Sequence, residues 1–320
     1  MILNSSKFNS LNKLNYTFRG NFAFTLIELL VVIAIIGILS ALIIIGMNST
    51  TQKATIAKAQ VFSNSLRNSL MGNLVSEWKF DQVNFPAAGQ TPDSWSGGNA
   101  GTLYGSGGLQ SFPQLQSAAS CVSGGCFSFD GTDDFVDCAD GDNLDITDAI
   151  TISAWAYKEG VYVDANTIVG KLETAYWVYV YSSHNIKVWT NIGGASIPRT
   201  TSANTFSDNQ WHYVVFSYNE NGGSNNFNIY IDGVNKYATT LAGKISTNNS
   251  DFHIGSSGGS GSYFFTGRID DVRIFNAAMP TSQIQQMYFV GINKLLAKNQ
   301  ITENEYNNRI ADLTNNYAKE

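Results

Sequence analysis

An uncharged apolar run near the N-terminus constrains this chain more than any other feature. Residues 29–47 carry no charge, and a membrane-spanning helix needs about 20 such residues. Glu28 stands at the start of the run, where a carboxylate costs on the order of 2.5–3.5 kcal/mol, so acids in spans are usually functional. The pattern predicts one transmembrane helix over residues 24–47, with an acid that needs a partner.

A basic leader precedes this run. Residues 1–23 carry Lys7, Lys13 and Arg19 and no acid, which favours the cytoplasmic side of a membrane. The small residue Ala23 stands before the run, whereas a secretory signal has its cleavage site after the run. Cleavage before the run would leave the anchor at the new N-terminus. The alternative is a simple signal anchor with an unrelated acid.

The segment FTLIE at residues 24–28, with the apolar run behind it, resembles the prepilin leader of type IV pilins and of type II secretion pseudopilins. The resemblance reaches about residue 46. It implies that prepilin peptidase cuts between Ala23 and Phe24 and methylates the amine of Phe24. It also implies that Glu28 pairs with the N-terminal ammonium of a neighbouring subunit, so that two costly charges offset each other. The family usually has Gly where this chain has Ala23.

The helix is predicted to continue beyond the membrane. Residues 48–73 lack proline and place apolar side chains at helical spacing, and Gly72 with Asn73 is typical of a helix end. The predicted pilin helix therefore covers residues 24–73.

The composition changes after residue 73. Short strand-like runs alternate there with clusters of Gly, Ser, Asn and Asp, as in an antiparallel β-sandwich. The predicted strands are residues 75–80, 127–129, 135–138, 150–157, 166–171, 176–181, 186–191, 211–218, 227–231, 251–254 and 267–275.

Several of these runs resemble, in order and spacing, the LamG-like, concanavalin A-like jelly rolls. They are FDG at 129–131, DFV at 134–136, ITISAW at 150–155, WHYVV at 211–215, IYIDG at 229–233 and GRIDDVRIF at 267–275. The resemblance implies one jelly-roll domain over residues 74–280, in which residues 82–120 form a surface excursion. The fold class is therefore α+β: a long N-terminal transmembrane pilin helix, an antiparallel β-sandwich and short C-terminal helices.

Residues 281–320 are predicted to hold two helices, at about 282–298 and 303–318. Ser282 with Gln285, and Thr302 with Glu305, have the spacing of capping boxes. The second helix has a modest apolar stripe, which would pack on its own domain or on another subunit.

The three cysteines point to a disulfide, because an exported domain lies in an oxidising environment. Cys121 and Cys126 enclose a short Gly-containing loop and are the predicted pair, which leaves Cys138 as a buried free thiol. The alternative joins Cys126 to Cys138 across a hairpin. The three histidines are scattered and do not have zinc-site spacing.

The charge balance argues against nucleic acid as a partner. The net charge is −6, and removal of the three basic residues of the leader makes it −9, whereas phosphate binding needs a basic patch.

The acids do not form the pattern expected of a glycoside hydrolase. Such enzymes need two carboxylates about 5–10 Å apart. Asp133 with Asp134, and Asp270 with Asp271, are adjacent pairs, whose side chains are expected on opposite faces of a strand. The sequence therefore favours a protein that is not an enzyme.

Calcium is the one cofactor that the sequence suggests. Calcium prefers six to eight oxygen ligands. Asp130, Asp133 and Asp134 in a Gly-containing turn, together with Asp270 or Asp271, would supply some of them, and the LamG-like resemblance implies calcium near such positions. The alternative is that these acids form turns and are solvated.

Aromatic residues supply the candidate ligand site. Trp177, Tyr179 and Trp189 are the candidates for a sugar-stacking surface, and core packing is the alternative for them. Trp155 and Trp211 belong to the shared runs and are assigned to packing.

These features together predict a pilin-like filament subunit that displays a LamG-like head for adhesion or for glycan or protein binding. Its partners would be other pilin subunits, prepilin peptidase and the pilus assembly machinery. It would lie in the bacterial inner membrane before assembly and in an extracellular pilus afterwards. The alternative is a pseudopilin of a type II secretion or competence apparatus; a membrane-anchored glycoside hydrolase is disfavoured.

Overall fold

The computed structural model describes residues 72–81, 89–95, 98–105, 112–160, 165–172, 174–258 and 263–317, with side chains as far as residue 315. They all belong to one unit of the chain, Ile56–Glu320. The predicted cleavage position, Phe24, Glu28 and the predicted transmembrane helix lie outside the described residues. No helix within the described ranges is long and apolar enough to cross a membrane.

The described part is mostly β, with two antiparallel sheets of eight strands and two C-terminal helices. The strands are β1 (Leu74–Trp78), β2 (Gln90–Thr91), β3 (Gly101–Tyr104), β4 (Gln114–Gln116), β5 (Cys126–Asp130), β6 (Phe135–Asp137), β7 (Ala149–Lys158), β8 (Ala165–Gly170), β9 (Tyr176–Tyr181), β10 (Asn185–Ile192), β11 (Ala195–Thr200), β12 (Trp211–Asn219), β13 (Phe227–Ile231), β14 (Val234–Thr239), β15 (His253–Ile254) and β16 (Thr266–Phe275). The helices are α1 (Thr281–Ala297) and α2 (Glu303–Tyr317).

The chain passes repeatedly between the two sheets. Sheet I has the order β14-β13-β12-β7-β16-β5-β4, and β1 also pairs with β16. Sheet II has the order β11-β10-β9-β8-β15-β6-β3-β2. Strands that are neighbours in a sheet are often far apart in sequence, as expected for a sandwich. The predicted antiparallel sandwich is confirmed for the described residues.

The main core lies between the sheets, because alternate side chains of each strand point to the same side. Val178 and Val180 of β9 belong to this core, as do Val214 and Phe216 of β12. The opposite face of each sheet is thereby left for other contacts.

The two helices cover the outer face of sheet I. Tyr288 and Ile292 of α1 belong to one buried cluster with Trp155, Trp211 and Tyr213 of the sheet. The assignment of Trp155 and Trp211 to packing is therefore confirmed. Tyr306, Ile310 and Leu313 of α2 pack against the same cluster, so the apolar stripe of the second helix contacts its own domain.

The segment predicted as a surface excursion instead contributes strands to both sheets. β2 and β3 extend sheet II, and β4 pairs with β5 at the edge of sheet I. These strands have two to four residues, which is too short for an alternating pattern to emerge.

Of the two predicted capping boxes, the first is absent and the second is partly formed. α1 begins after Pro280 without a side-chain cap, so the predicted role of Ser282 is wrong. Thr302 does cap α2, since its hydroxyl accepts a hydrogen bond from the Glu305 N–H at 3.1 Å. The Glu305 carboxylate forms an ion pair with Arg309 one turn later.

The predicted disulfide between Cys121 and Cys126 is confirmed, and Cys138 is a buried free thiol. The loop closed by the disulfide lies against α1. The Lys298 ammonium donates hydrogen bonds to the carbonyls of Cys121 and Ser123 at 2.9 and 2.6 Å.

Candidate functional site

The outer face of sheet II carries a group of stacked aromatic side chains. Since Val178 and Val180 point into the core, strand alternation places Trp177, Tyr179 and Tyr181 on the opposite face. Trp189 of β10 joins them because it is the register partner of Trp177.

Trp177 is the centre of this group. Its ring centroid lies 4.1 Å from that of Tyr179, 6.1 Å from Trp189 and 5.2 Å from Tyr263. The indole N–H of Trp177 donates a hydrogen bond to the Thr167 hydroxyl at 2.9 Å. We refer to the five side chains as the aromatic cluster: Trp177, Tyr179, Tyr181, Trp189 and Tyr263.

The rings of the cluster differ in exposure. Trp177 and Tyr179 are each only 3% exposed, so they support the group from within. Trp189 and Tyr181 are half-buried, and Tyr263 is 44% exposed. A ligand on this face would therefore first meet Trp189, Tyr181 and Tyr263.

Polar groups border the exposed rings. The Lys187 ammonium lies 3.2 Å from the centroid of the Tyr181 ring. The Trp189 indole N–H donates a hydrogen bond to the Ser196 hydroxyl at 2.8 Å. Aromatic surfaces with polar neighbours suit ligands that present both apolar and hydroxyl groups.

The structure thus brings Trp177, Tyr179 and Trp189 together on one face, although their role in binding stays a prediction. The sequence reasoning did not select Tyr263 because it lies outside any strand. The signal that links the group is the cross-strand register, which becomes visible once β9 and β10 are paired.

A second aromatic stack lies on the same face of sheet II. The Tyr104 ring stacks on Phe135 at a centroid distance of 5.0 Å, and Phe135 stacks on His253 at 4.6 Å. Tyr104 is 45% exposed. It was missed because it lies in β3, within the segment predicted as a surface excursion.

The predicted calcium ligands are only partly brought together. Asp130, Asp133 and Asp134 each offer a carboxylate oxygen, and these oxygens lie within 4.8 Å of one another. One Asp134 oxygen accepts the Asp130 N–H at 3.0 Å, while the other is buried and has no hydrogen-bond partner among the described residues. Burial, and next the charge of Asp130, raise the pKa of Asp134 to about 6.

Asp270 and Asp271 do not join that group. Asp270 is fully buried, and its carboxylate accepts the Ser123 N–H at 2.9 Å beneath the disulfide loop. Asp271 forms an ion pair with Arg273 at 3.0 Å. The structure therefore does not support a shared calcium site with Asp130.

The prediction that Asp270 and Asp271 lie on opposite faces is also wrong. The pairing of β16 with β7 shifts register between Asp270 and Arg273, as at a β-bulge. Ile269 and Val272 both lie in the main core, so the two acids between them share the opposite side. Burial, and next the neighbouring Asp271, raise the pKa of Asp270 well above its usual range.

A third group of potential ligands escaped the sequence reasoning. One ligand atom each from Asp137, Asp251 and His253 lies within 4.8 Å of the others. They meet because β15 pairs with β6, and Asp137 is the register partner of His253. Burial lowers the pKa of His253, which favours its neutral form.

Comparison with known protein families identifies two regions. Residues 130–285 match the model of the concanavalin A-like lectin/glucanases superfamily, and residues 18–44 match that of the prokaryotic N-terminal methylation motif. A comparison with curated protein sequences gave no match.

Solved structures with the same fold include domain 4 of AbnA, a GH43 extracellular arabinanase from Geobacillus stearothermophilus, in complex with arabinotriose. That domain is 22% identical, the match covers 68% of this chain and 98% of the domain, and the TM-score is 0.52. The botulinum neurotoxin serotype D ligand-binding domain in complex with N-acetylneuraminic acid is 13% identical, with coverages of 69% and 52% and a TM-score of 0.51. The binding domain of Paraclostridial Mosquitocidal Protein 1 is 14% identical, with coverages of 68% and 52% and a TM-score of 0.50.

The chain thus spans almost all of the arabinanase domain and about half of the other two. Identities at this level establish the fold alone. Two regions of the chain match known families: residues 18–44 match the prokaryotic N-terminal methylation motif, and residues 130–285 match the concanavalin A-like lectin/glucanases superfamily.

Proposed function

We propose that this protein is a pilin-like filament subunit whose head binds glycans through the aromatic cluster on sheet II. The observation that carries the binding role is the aromatic cluster around Trp177, in which Trp189, Tyr181 and Tyr263 are partly exposed. The methylation motif at residues 18–44 supports the filament role.

Sugar chains suit this surface for a physical reason. The C–H faces of a sugar ring can cover an aromatic ring, while its hydroxyl groups bond to polar neighbours such as Ser196 and Lys187. Rings already stacked on Trp177 lose little conformational freedom on binding, which lowers the entropic cost. Two of the solved structures with this fold contain a sugar ligand, which supports the ligand class but not a particular sugar.

A glycan array with the full-length protein tests the binding role, followed by titration of the best glycan. Trp189→Ala should weaken the binding of that glycan by about thirtyfold, on the order of 2 kcal/mol, if Trp189 is a central contact. Trp95→Ala is the matched control, because this half-buried tryptophan lies in the segment bonded to β1 of sheet I. Binding to no glycan, or equal losses in the two variants, would contradict the proposal.

The filament role depends on the N-terminal segment. In our proposal, prepilin peptidase cuts between Ala23 and Phe24, Phe24 is methylated, and Glu28 pairs with the amine of another subunit. Mass spectrometry of the mature N-terminus should find methylated Phe24. Glu28→Ala should still insert into the membrane but should fail to assemble, and normal filaments from this variant would exclude the pairing.

The same motif also fits a pseudopilin, whose head would engage secretion or uptake machinery. Electron microscopy of cells with and without the gene separates the two roles. Loss of surface filaments, or loss of adhesion with filaments retained, supports the pilin. Retained filaments and adhesion together with a secretion or uptake defect support the pseudopilin.

The burial of Asp270 supports a binding role without catalysis by the Asp270–Asp271 pair. Asp270 and Asp271 share one side of sheet I, but Asp270 is fully buried beneath the disulfide loop, where a substrate has no access to it. Incubation of the full-length protein with glycans that it binds should give no hydrolysis products.

We also propose that Asp130, Asp133 and Asp134 bind calcium. The buried Asp134 oxygen without a partner fits a cation, and an all-oxygen ligand set suits calcium. Calcium should raise the melting temperature of the full-length protein relative to a chelator, since it binds the folded state. Asp133→Asn should reduce this rise, and an equal rise in both proteins would argue against the site.

A further inference from the structure

We propose that Asp137, Asp251 and His253 form a binding site for a divalent transition-metal ion on the outer face of sheet II. This site is separate from the Asp130 group, because it contains an imidazole and different acids.

The backbone brings the three side chains together. Asp137 is the last residue of β6 and His253 the first of β15, and the two are register partners. Asp251 comes two residues before His253 in the segment that enters β15. Their ligand atoms lie within 4.8 Å of one another, so a small inward movement would bring all three to about 2.0–2.2 Å from one metal ion.

The His253 ring is held in one orientation. Its Nδ1 lies 3.1 Å from the Ser256 hydroxyl, and the Phe135 ring stacks against it at 4.6 Å. Metal-binding histidines usually have their second nitrogen held in this way by a hydrogen bond. The ring is also buried, with only 4% of the residue exposed.

Among the described residues, the remaining nitrogen of His253 lies beside Asp137 without a hydrogen bond. Nε2 lies 3.7 Å from a carboxylate oxygen of Asp137, beyond hydrogen-bond distance. That oxygen already accepts the Ala139 N–H at 2.8 Å and keeps a second lone pair, so a shared cation would bind it together with this nitrogen.

The charge of the site also calls for a cation. Within the described ranges, neither Asp137 nor Asp251 forms an ion pair with a lysine or arginine. The nearby Lys171 is instead paired with Asp140 and Asp145. Two carboxylates therefore lie beside one imidazole without a basic partner.

The donor atoms of the three side chains indicate which metal ions the site would bind. Imidazole suits zinc, copper, iron and nickel, whereas sites made only of oxygen suit calcium and magnesium. Three protein ligands also leave a coordination position for water or another ligand. Gly170 lies between His253 and Trp177 in the register of sheet II, so this position is on the same face as the aromatic cluster.

Equilibrium dialysis of the full-length protein in detergent, first stripped of metal with EDTA, tests the site with zinc chloride. We expect one zinc ion per chain; cobalt loaded into the stripped protein should give the visible absorption of a coordinated cobalt ion, and zinc should then displace it. His253→Gln and Asp251→Asn should each weaken zinc binding at least tenfold, and Ser256→Ala roughly 10–100-fold. If the His253→Gln variant does not fold, the Asp251→Asn variant tests the site in its place.

His184→Gln is the matched control, because His184 Nε2 lies 3.6 Å from Asp208 in a pair with no second acid within ligand distance among the described residues. It should leave zinc binding unchanged. The proposal would be overturned if the wild-type protein bound no zinc, or if the His253 and Asp251 variants bound zinc as tightly as the control. Each readout is independent of glycan binding.

Discussion

Asp134 illustrates how one residue can link folding, pH and ligand binding. It is 4% exposed and lies beside two other acids in the turn between β5 and β6. The sequence identifies the acids, because Asp and Gly in a short turn form a recognisable pattern. It does not reveal the raised pKa, which depends first on the burial of the carboxyl in the folded protein.

The raised pKa of Asp134 predicts a pH-dependent stability in the absence of calcium. The folded carboxyl has a pKa of about 6 and the unfolded one about 3.9, so the folded state binds more protons between these values. Stability should therefore fall as the pH rises from about 4 to about 6. Urea denaturation of the full-length protein in a chelator measures this fall.

Asp134→Asn is the test of that assignment, since it removes the titrating group and keeps the side-chain size. The fall in stability across this pH range should be smaller in the variant. An identical fall in the two proteins would assign the effect to another group.

Gly291 has a role that only the packing reveals. It lies in α1, and a β-carbon there would come within 2.0 Å of the Trp155 ring. A glycine inside a helix usually destabilises it relative to alanine by about 1 kcal/mol. The sequence alone therefore suggests that alanine at this position would stabilise the protein. The structure indicates the opposite, because the helix needs the space to reach sheet I.

Gly291→Ala should therefore destabilise the protein, by about 1–3 kcal/mol, as is typical of overpacking. Ser282→Ala, at an exposed position in the first turn of α1, is the control and should change stability little, since Ser282 does not cap the helix. Denaturant unfolding compares the two. A Gly291→Ala protein as stable as the wild type would show that α1 can shift away from Trp155 without cost.

At the level of secondary structure, the sequence predicts the long elements well. β7, β12 and β16 have nine or ten residues, β7 and β12 have strong apolar character, and both helices begin within one residue of their predicted positions. The short strands β2, β3 and β4 were missed because two to four residues carry no periodic signal, and the six-residue strands β11 and β14 were not predicted either. The bulge in β16 was missed because local sequence does not specify register.

The disulfide loop is the element whose contribution to the free energy of unfolding can be measured most directly. A cross-link that closes a loop of six residues restricts the unfolded chain by roughly 2 kcal/mol in the chain-entropy account. Reduction of Cys121–Cys126 should lower the free energy of unfolding by about that amount. The double variant Cys121→Ser with Cys126→Ser should respond little to reductant.

For the whole molecule, the sequence motifs predict the sandwich but not the use of its two outer faces. The outer face of sheet I is covered by α1 and α2, whereas the outer face of sheet II carries the aromatic cluster. Both faces contain tryptophans, so residue type cannot distinguish them. The difference arises from strand order and from where the C-terminal helices pack.

The two faces should respond independently to mutation. Deletion of residues 302–320 removes α2, and with it the hydrogen bond from Arg309 to the Trp211 carbonyl, so stability should fall. Glycan affinity should change little in the folded fraction, since Trp189 is on the other sheet. Thermal unfolding and glycan titration on the same samples measure both. A parallel loss of affinity would show that the faces are coupled.

The pairing of β1 with β16 has a mechanical consequence. β1 is the first described strand, and it pairs with β16 from Leu74 to Trp78, with an ion pair between Glu77 and Arg273. Tension arriving along the chain from residue 72 would load this pairing before any other. β16 also pairs with β7 and β5, so the load would spread across sheet I. If the protein is an adhesin under flow, as proposed, the pairing of β1 with β16 would set the force at which the head domain begins to unfold.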